Sequence, residues 1–159
     1  MFKLRNNKGF TLIELLVVIG ILAVLLAITL IAVNPGQQLQ QADDTKRRSD
    51  INAILNAVNQ WMVANNGQVP TEIPGTAVDE ATSVPIGDAT AGGAALCEIL
   101  VPAYIAAIPQ DPASNQGADI TGCTAAADEY VSGYAISAVN KRITVYAPGA
   151  NGGTIMVTR

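Results

Sequence analysis

An uncharged apolar run lies near the N-terminus of this chain. Residues 15–33 contain no charged residue and no proline, and the run counted from Phe10 has 24 residues. A helix of that length extends about 36 Å, which is enough to cross a hydrocarbon layer of about 30 Å. The sequence therefore predicts a membrane-spanning helix over residues 10–34.

One acid, Glu14, lies at the front of this run. A charge at membrane depth costs on the order of 2.5–3.5 kcal/mol on insertion scales, so a carboxylate retained there is expected to have a function. The alternative is that Glu14 stays hydrated, because it lies about 9 Å along the helix from Lys8 and close to the membrane surface.

A basic segment with Lys3, Arg5 and Lys8 precedes the run, as in a secretory signal peptide. Signal peptides have an apolar core of about 7–15 residues followed by a small-residue cleavage site. Here the run is longer, and Asn34-Pro35-Gly36 and several glutamines follow it. The pattern favours a retained helix over a removed signal.

The remainder of the chain is acidic. The net charge is −4 overall, and from Phe10 onward 6 basic and 13 acidic residues give −7. Nucleic-acid affinity depends on neutralising phosphates, so this balance argues against nucleic acid as a partner.

Candidate catalytic and metal-binding residues are few. Histidine is absent, which removes the most common general base and metal ligand. Asp128-Glu129 could form an acid pair, but adjacent strand residues face opposite sides. Asp111, Asp119 and Asp128 could bind a metal, the default being solvated loop acids. The sequence predicts no enzyme, no catalytic residues, no cofactor and no metal.

Two cysteines, Cys97 and Cys123, lie in the loop-rich second half. In an extracytoplasmic domain an even pair indicates a disulfide, and closing a loop of about 27 residues stabilises by roughly 3–4 kcal/mol. Two unpaired buried thiols are the alternative. Three basic residues flank the apolar run on each side, so the disulfide, and not the charge, places the C-terminal part outside the cytoplasm.

A second helical stretch is expected over residues 35–66, after a kink near Pro35. Asp43 and Arg47, and Asp44 and Arg48, are spaced as i,i+4 ion pairs. Asn66-Gly67 is a plausible stop. An apolar stripe at helical spacing needs a surface to pack on: Ile51, Ile54, Leu55, Val58, Trp61 and Met62.

Residues 67–159 are expected to form a loop-rich head. Residues 68–93 have the composition of an irregular loop, and a short helix is predicted over 94–100. Three segments rich in β-branched and aromatic residues predict antiparallel strands: Gly133–Val139, Arg142–Ala147 and Thr154–Thr158. The predicted fold class is α+β, with the long helix packed on a small antiparallel sheet.

The segment Lys8–Ala23, KGFTLIELLVVIGILA, closely resembles the N-terminus of type IV prepilins and pseudopilins. In those families a basic leader ends in glycine, prepilin peptidase cleaves after it, and the new terminal residue is N-methylated. The resemblance implies a leader over residues 1–9, cleavage between Gly9 and Phe10, and N-methylation of Phe10. It also implies assembly through pairing of Glu14 with the Phe10 amine of a neighbouring subunit.

Two further segments extend the resemblance. Arg47–Pro70 is similar to the exposed half of the pilin helix, and Tyr104–Pro112, YIAAIPQDP, resembles a stretch common in major pseudopilins. Two features depart from the family. Pro35 lies later than in many members, and residues 132–153, where major pseudopilins often carry an acidic calcium loop, contain no acid.

The resemblance implies a structural subunit of a type IV pilus-like filament. Its implied partners are copies of itself, prepilin peptidase, an assembly platform and, before assembly, membrane lipid. The expected location is the inner membrane with the head outside, and then a surface filament. Two alternatives remain: the major pseudopilin of a type II secretion-like system, and a DNA-binding minor pilin that would use Lys46–Arg48 and Lys141-Arg142.

Overall fold

The computed structural model describes residues 9–77, 79–87, 93–114, 117–123 and 130–159. The basic residues of the leader, Lys3, Arg5 and Lys8, therefore lie outside the described residues, as do Asp128 and Glu129. The chain divides into two compact units, Met1–Leu39 and Gln40–Arg159.

The first helix, α1, covers Leu12–Val33 and contains 22 residues. All of its residues are exposed, and it is long and apolar enough to cross a membrane. It ends where Asn34 adopts the left-handed conformation, with φ 41°. The next helix begins at Pro35, a position that suits proline because the first helical N–H needs no partner within the helix. The predicted break near Pro35 is present.

The second helix, α2, covers Pro35–Ala64. Its end agrees with the expected stop, because Asn66 and Gly67 both have positive φ and the Gly67 N–H donates to the Met62 carbonyl at 2.8 Å. Five members of the predicted apolar stripe are buried, and Trp61 is half-buried against the core. Tertiary packing therefore stabilises the C-terminal part of α2.

Four antiparallel strands follow in chain order: β1 at Val84–Gly87, β2 at Val131–Val139, β3 at Arg142–Pro148 and β4 at Thr154–Thr158. A short helix, α3, covers Cys97–Leu100. The three predicted strands are confirmed, and β2 begins two residues earlier than predicted. Strand β1 falls in the stretch that the sequence indicated as irregular, because four residues including a proline are too few to show an alternating pattern.

The core of the second unit lies between α2 and one face of this sheet. Alternate residues of β2 and β3 contribute to it, among them Ile136 and Val145, which meet as direct cross-strand partners. On α2 the facing residues include Ile54 and Val58, both completely buried. The architecture is α+β, as the sequence predicted.

Candidate functional site

The junction between Gly9 and Phe10 precedes α1 and is exposed, with Phe10 84% accessible. Among the described residues, a Cβ placed on Gly9 would meet no atom within 4 Å. The fold of the described residues therefore does not itself require glycine at position 9. A requirement for glycine there would come from a protein that binds the junction.

Glu14 closes a capping box at the N-terminus of α1. Its Oε2 accepts hydrogen bonds from the Thr11 N–H at 2.8 Å and the Thr11 hydroxyl at 2.7 Å. The Thr11 hydroxyl in turn accepts from the Glu14 N–H at 3.3 Å. This role was not predicted from the sequence, although Thr-x-x-Glu before an apolar run is its known signature. Within the described part of the chain, Glu14 Oε1 remains available to another group.

The surface of α1 is apolar on all sides. Its leucine, isoleucine and valine residues are each at least half exposed, from Val33 at 50% to Ile31 at 84%. A helix that is hydrophobic all round is stable when lipid or other helices surround it. This surface can therefore serve both as a membrane anchor and as an assembly surface.

Cys97 and Cys123 form a disulfide, with their Cα atoms 5.3 Å apart. The predicted disulfide is thus present, and no cysteine is free. Within the closed loop, Ile108 and Ile120 exchange two backbone hydrogen bonds of 2.9 and 2.8 Å. The disulfide closes the loop that contains the YIAAIPQDP motif, and the bridge joins Ile108 of that motif to Ile120.

Arg47 of α2 forms a buried ion pair with Asp111, which lies in that motif. Its Nη2 and Nε donate to Asp111 Oδ1 at 2.9 and 3.2 Å, and its Nη1 donates to Asp44 Oδ1 at 3.0 Å. Arg47 is 8% exposed and Asp111 is 2% exposed. Burial lowers the pKa of Arg47, but its bonds to Asp111 and Asp44 outweigh burial and raise it overall. Arg47 therefore stays charged.

Lys46 holds the same loop through backbone carbonyls. Its Nζ donates to the carbonyls of Gln110 and Gly117, each at 3.2 Å, and lies 3.8 Å from Asp50. Gly117 has φ +67°, and a Cβ there would approach Lys46 Nζ to 2.8 Å, so glycine allows the close contact. We call Asp44, Lys46, Arg47 and Asp50 the α2 clamp.

The α2 clamp also contacts two parts of the sheet. Asp44 Oδ1 accepts from the Ala150 N–H, between β3 and β4, at 3.0 Å. Asp50 Oδ2 accepts from the Tyr134 hydroxyl on β2 at 2.8 Å. Burial raises the pKa of Asp50, and burial and the Asp50 carboxylate raise the pKa of Tyr134 well above its ordinary value. Less than two turns of helix therefore hold the YIAAIPQDP loop, β2 and the β3–β4 connection.

These contacts correct three expectations from the sequence. The predicted ion pairs of Asp43 with Arg47 and of Asp44 with Arg48 are wrong. Arg47 pairs with Asp44 and Asp111 instead. Asp111 is not a solvated loop acid, since Arg47 neutralises it in the interior. Three-residue clusters of metal-binding side chains are absent from the described residues, and Asp128 of the suggested set lies outside them.

Residues 4–30 match the model of a family described as the prokaryotic N-terminal methylation motif. The type II secretion system core protein G of Aeromonas hydrophila is 34% identical to this chain over 113 residues, which cover 70% of this chain and 71% of that protein. The chain belongs to the type IV pilin and pseudopilin family. No solved structure matches it.

The longer alignment extends beyond the family match in this pseudopilin-family chain. The methylation motif includes Gly9, Phe10 and Glu14 and ends before α1 does. The 113-residue alignment must reach well into the second unit, because the first unit ends at residue 39. The similarity to core protein G is therefore not confined to the processing motif that pilins and pseudopilins share.

Proposed function

We propose that this chain is the major pseudopilin of a type II secretion-like system. The observation that carries the proposal is the 34% identity to the core protein G of Aeromonas hydrophila over 70% of the chain. The YIAAIPQDP segment adds support, because it resembles a stretch common in major pseudopilins. Its Asp111 is buried in the fold. The motifs of the sequence were interpreted first as those of a surface pilus subunit, and the similarity to core protein G favours the pseudopilin.

In this proposal the chain is made as a membrane-anchored precursor. Prepilin peptidase cleaves between Gly9 and Phe10, and Phe10 is then N-methylated. Two observations support cleavage at this junction. The junction is exposed, and the described residues place no structural requirement for glycine at position 9. The head lies outside the cytoplasm, where the disulfide between Cys97 and Cys123 is stable.

Mature subunits then leave the lipid and assemble through α1 into a filament, aided by an assembly platform. The apolar surface of α1 supports this step, since neighbouring helices can replace lipid around it. Glu14 pairs with the Phe10 ammonium of an adjacent copy and sets the axial register. A head-to-tail contact of this kind is open and produces filaments instead of closed rings. The role is structural, and we assign the chain no catalytic activity.

The second candidate is a surface pilus subunit, and deletion of the gene distinguishes it from a pseudopilin. We expect deletion of the gene in its host to stop export of secreted proteins while surface fibres persist, and expression of the intact chain to restore export. A strain that loses its surface fibres but secretes normally would overturn the pseudopilin assignment in favour of the pilus.

A DNA-binding pilin has less support from the described residues. Lys46 and Arg47, two of the three residues in the larger basic cluster, are engaged by the YIAAIPQDP loop. Arg48 is exposed, and within the described ranges its side chain has no ion-pair partner. Phosphate contacts require several free cations, so the structure of the head does not favour nucleic acid as a partner.

A further inference from the structure

The two edges of the four-stranded sheet differ in whether other parts of the chain cover them. Strand β1, at one edge, is covered by Ala94, whose N–H donates to Pro85 at 2.8 Å and whose carbonyl accepts from Gly87 at 3.2 Å. Beyond the end of β1, the Ala138 N–H of β2 donates to the Ala77 carbonyl at 2.7 Å. This edge is therefore closed by the chain itself.

Strand β4, at the other edge, is open. Ile143 and Arg159 exchange two hydrogen bonds, of 2.8 and 2.9 Å, so alternate residues of β4 direct their backbone groups toward β3. Thr154, Met156 and Thr158 consequently direct their N–H and C=O groups away from the sheet. No backbone partner for these groups occurs among the described residues.

Strand β4 also lacks the features that usually protect an edge. Its five residues, TIMVT, include no charge and no proline, and its pairing with β3 has no bulge. The Met156 side chain is 64% exposed. An open, uncharged edge of this kind is a template for another strand.

A groove of about 340 Å³ runs along β4 and is lined by Arg48 together with residues 154–157. Arg48 is exposed, and its guanidinium has no hydrogen-bond or ion-pair partner within the described ranges. Ile155 and Val157 face the core side of the sheet, where they pack against the core. A strand added to β4 would therefore place a side chain of that same face over Arg48.

We propose that the β4 edge binds an extended segment of a partner polypeptide that carries one carboxylate in register with Arg48. The backbone groups of Thr154, Met156 and Thr158 provide hydrogen bonds, and the unpaired guanidinium selects an acid. The remainder of that segment is uncharged, since residues 40–159 carry 12 acids against 6 bases and repel an acidic peptide. Self-pairing of two β4 strands is disfavoured because it brings Arg48 of one copy toward Arg48 of the other. The proposal does not depend on the assignment as a pseudopilin.

The test uses the full chain in detergent micelles and a fluorescent peptide probe of about seven residues, near the usual strand length. The probe alternates threonine and valine around one central aspartate, and a second probe has lysine in its place. We expect the aspartate probe to bind about threefold to tenfold more tightly than the lysine probe, and Arg48→Glu to reverse that order. Arg142→Glu makes the same charge change at the first residue of β3, which does not line the groove. This variant should leave the order of the two probes unchanged.

Met156→Pro tests the backbone contribution. It removes one outward N–H but no bond to β3, so the sheet is kept. We expect at least about fivefold weaker binding of the aspartate probe, whereas Met156→Thr, which retains the N–H, should bind within about twofold of the wild type. Equal binding of both probes by the wild type, or unchanged binding by Arg48→Glu, would overturn the proposal. A dimer that Met156→Pro dissociates and the aspartate probe does not would assign the edge to a second copy instead.

Discussion

Arg47 and Asp111, 64 positions apart in the sequence, form a buried ion pair in which two guanidinium nitrogens share one carboxylate oxygen. Asp111 Oδ1 also accepts from the Ala113 N–H at 2.9 Å, and the Asp111 N–H donates to Ser132 on β2 at 2.8 Å. One aspartate therefore joins α2, its own loop and the sheet. Gly133 makes room for it, since a Cβ at Gly133 would lie 2.7 Å from the Asp111 Cβ.

The first prediction concerns this pair. Asp111→Ala leaves Arg47 charged and buried without its main partner, and we expect the free energy of unfolding to fall by about 3–5 kcal/mol. Asp111→Asn should lose less, because its amide oxygen still accepts a hydrogen bond. Urea unfolding of the full chain in micelles, followed by the fluorescence of Trp61, measures both.

Asp43→Ala is the matched control for the ion pair. Asp43 is next to the α2 clamp and was the partner that helical spacing assigned to Arg47, but no ion pair joins it to any of the described residues. Its removal should change the free energy of unfolding by less than about 0.5 kcal/mol. Equal losses from Asp43→Ala and Asp111→Ala would contradict the assignment.

The second prediction is a pH dependence from Tyr134. Burial and the Asp50 carboxylate raise its pKa in the folded state, whereas in the unfolded chain it titrates near 10. Above about pH 10 the unfolded state therefore binds fewer protons, and stability falls as pH rises. Tyr134→Phe should flatten this fall while lowering stability at neutral pH by about 1–2 kcal/mol. Urea midpoints between about pH 8 and 11 test it, and parallel curves for both proteins would contradict it.

The third prediction concerns the disulfide. Cys97 and Cys123 should resist alkylation in the folded protein until reductant is added, because they are bonded to each other. Reduction should then lower the free energy of unfolding by roughly 3–4 kcal/mol, as the loop-closure model gives. A double Cys97→Ser and Cys123→Ser variant should match the reduced protein and be insensitive to reductant. Alkylation of both thiols in the untreated folded protein would contradict the bond.

Much of this fold could be predicted from local pattern. The apolar stripe of α2 and strands β2 to β4 are periodic over enough residues to be recognised. Their apolar faces pack against each other in the core. With two cysteines the chain has a single possible intramolecular disulfide. The break at Asn34-Pro35 follows from the chemistry of proline.

The polar contacts could not be predicted in the same way. Helical spacing offers Arg47 several acids within reach, and only the tertiary fold places Asp111, from a distant loop, beside it. Strand β1 depends on its pairing with β2 and has little pattern of its own. The capping box of Thr11 and Glu14 is different, because its Thr-x-x-Glu signature is visible in the sequence.

The fourth prediction concerns processing. Gly9→Val should leave an uncleaved precursor in the membrane, because a β-branched side chain does not fit a protease site shaped for glycine. The fold of the described part of the chain should be unaffected, since a Cβ at Gly9 meets none of its atoms within 4 Å. Gly20→Val is the control, because Gly20 in α1 has equally open surroundings and its substitution should permit cleavage. Sequencing a mature N-terminus at Phe10 from Gly9→Val would exclude this site.

The last prediction separates the two roles available to Glu14, capping its own helix and pairing with a neighbouring ammonium. Glu14→Ala should insert in the membrane at least as well as the wild type, because it removes a charge that costs on the order of 2–3 kcal/mol at membrane depth. Cleavage and the disulfide should be normal. Assembly should fail, since an unpaired ammonium inside the filament carries a penalty of roughly 3–5 kcal/mol. Glu14→Gln should be intermediate, because it accepts a hydrogen bond without charge.

Thr11→Val is the matched control for Glu14→Ala. It removes the hydroxyl that bonds Glu14 but keeps the carboxylate, so the cap weakens, by about 0.5–2 kcal/mol, while the charge remains. The measurement is the ratio of assembled filament to membrane-bound mature subunit for each variant. If pairing is the function, Thr11→Val assembles and Glu14→Ala does not. If both variants fail alike, Glu14 acts as a helix cap, and if both assemble normally, the carboxylate is not needed for assembly and the proposed pairing with Phe10 is wrong.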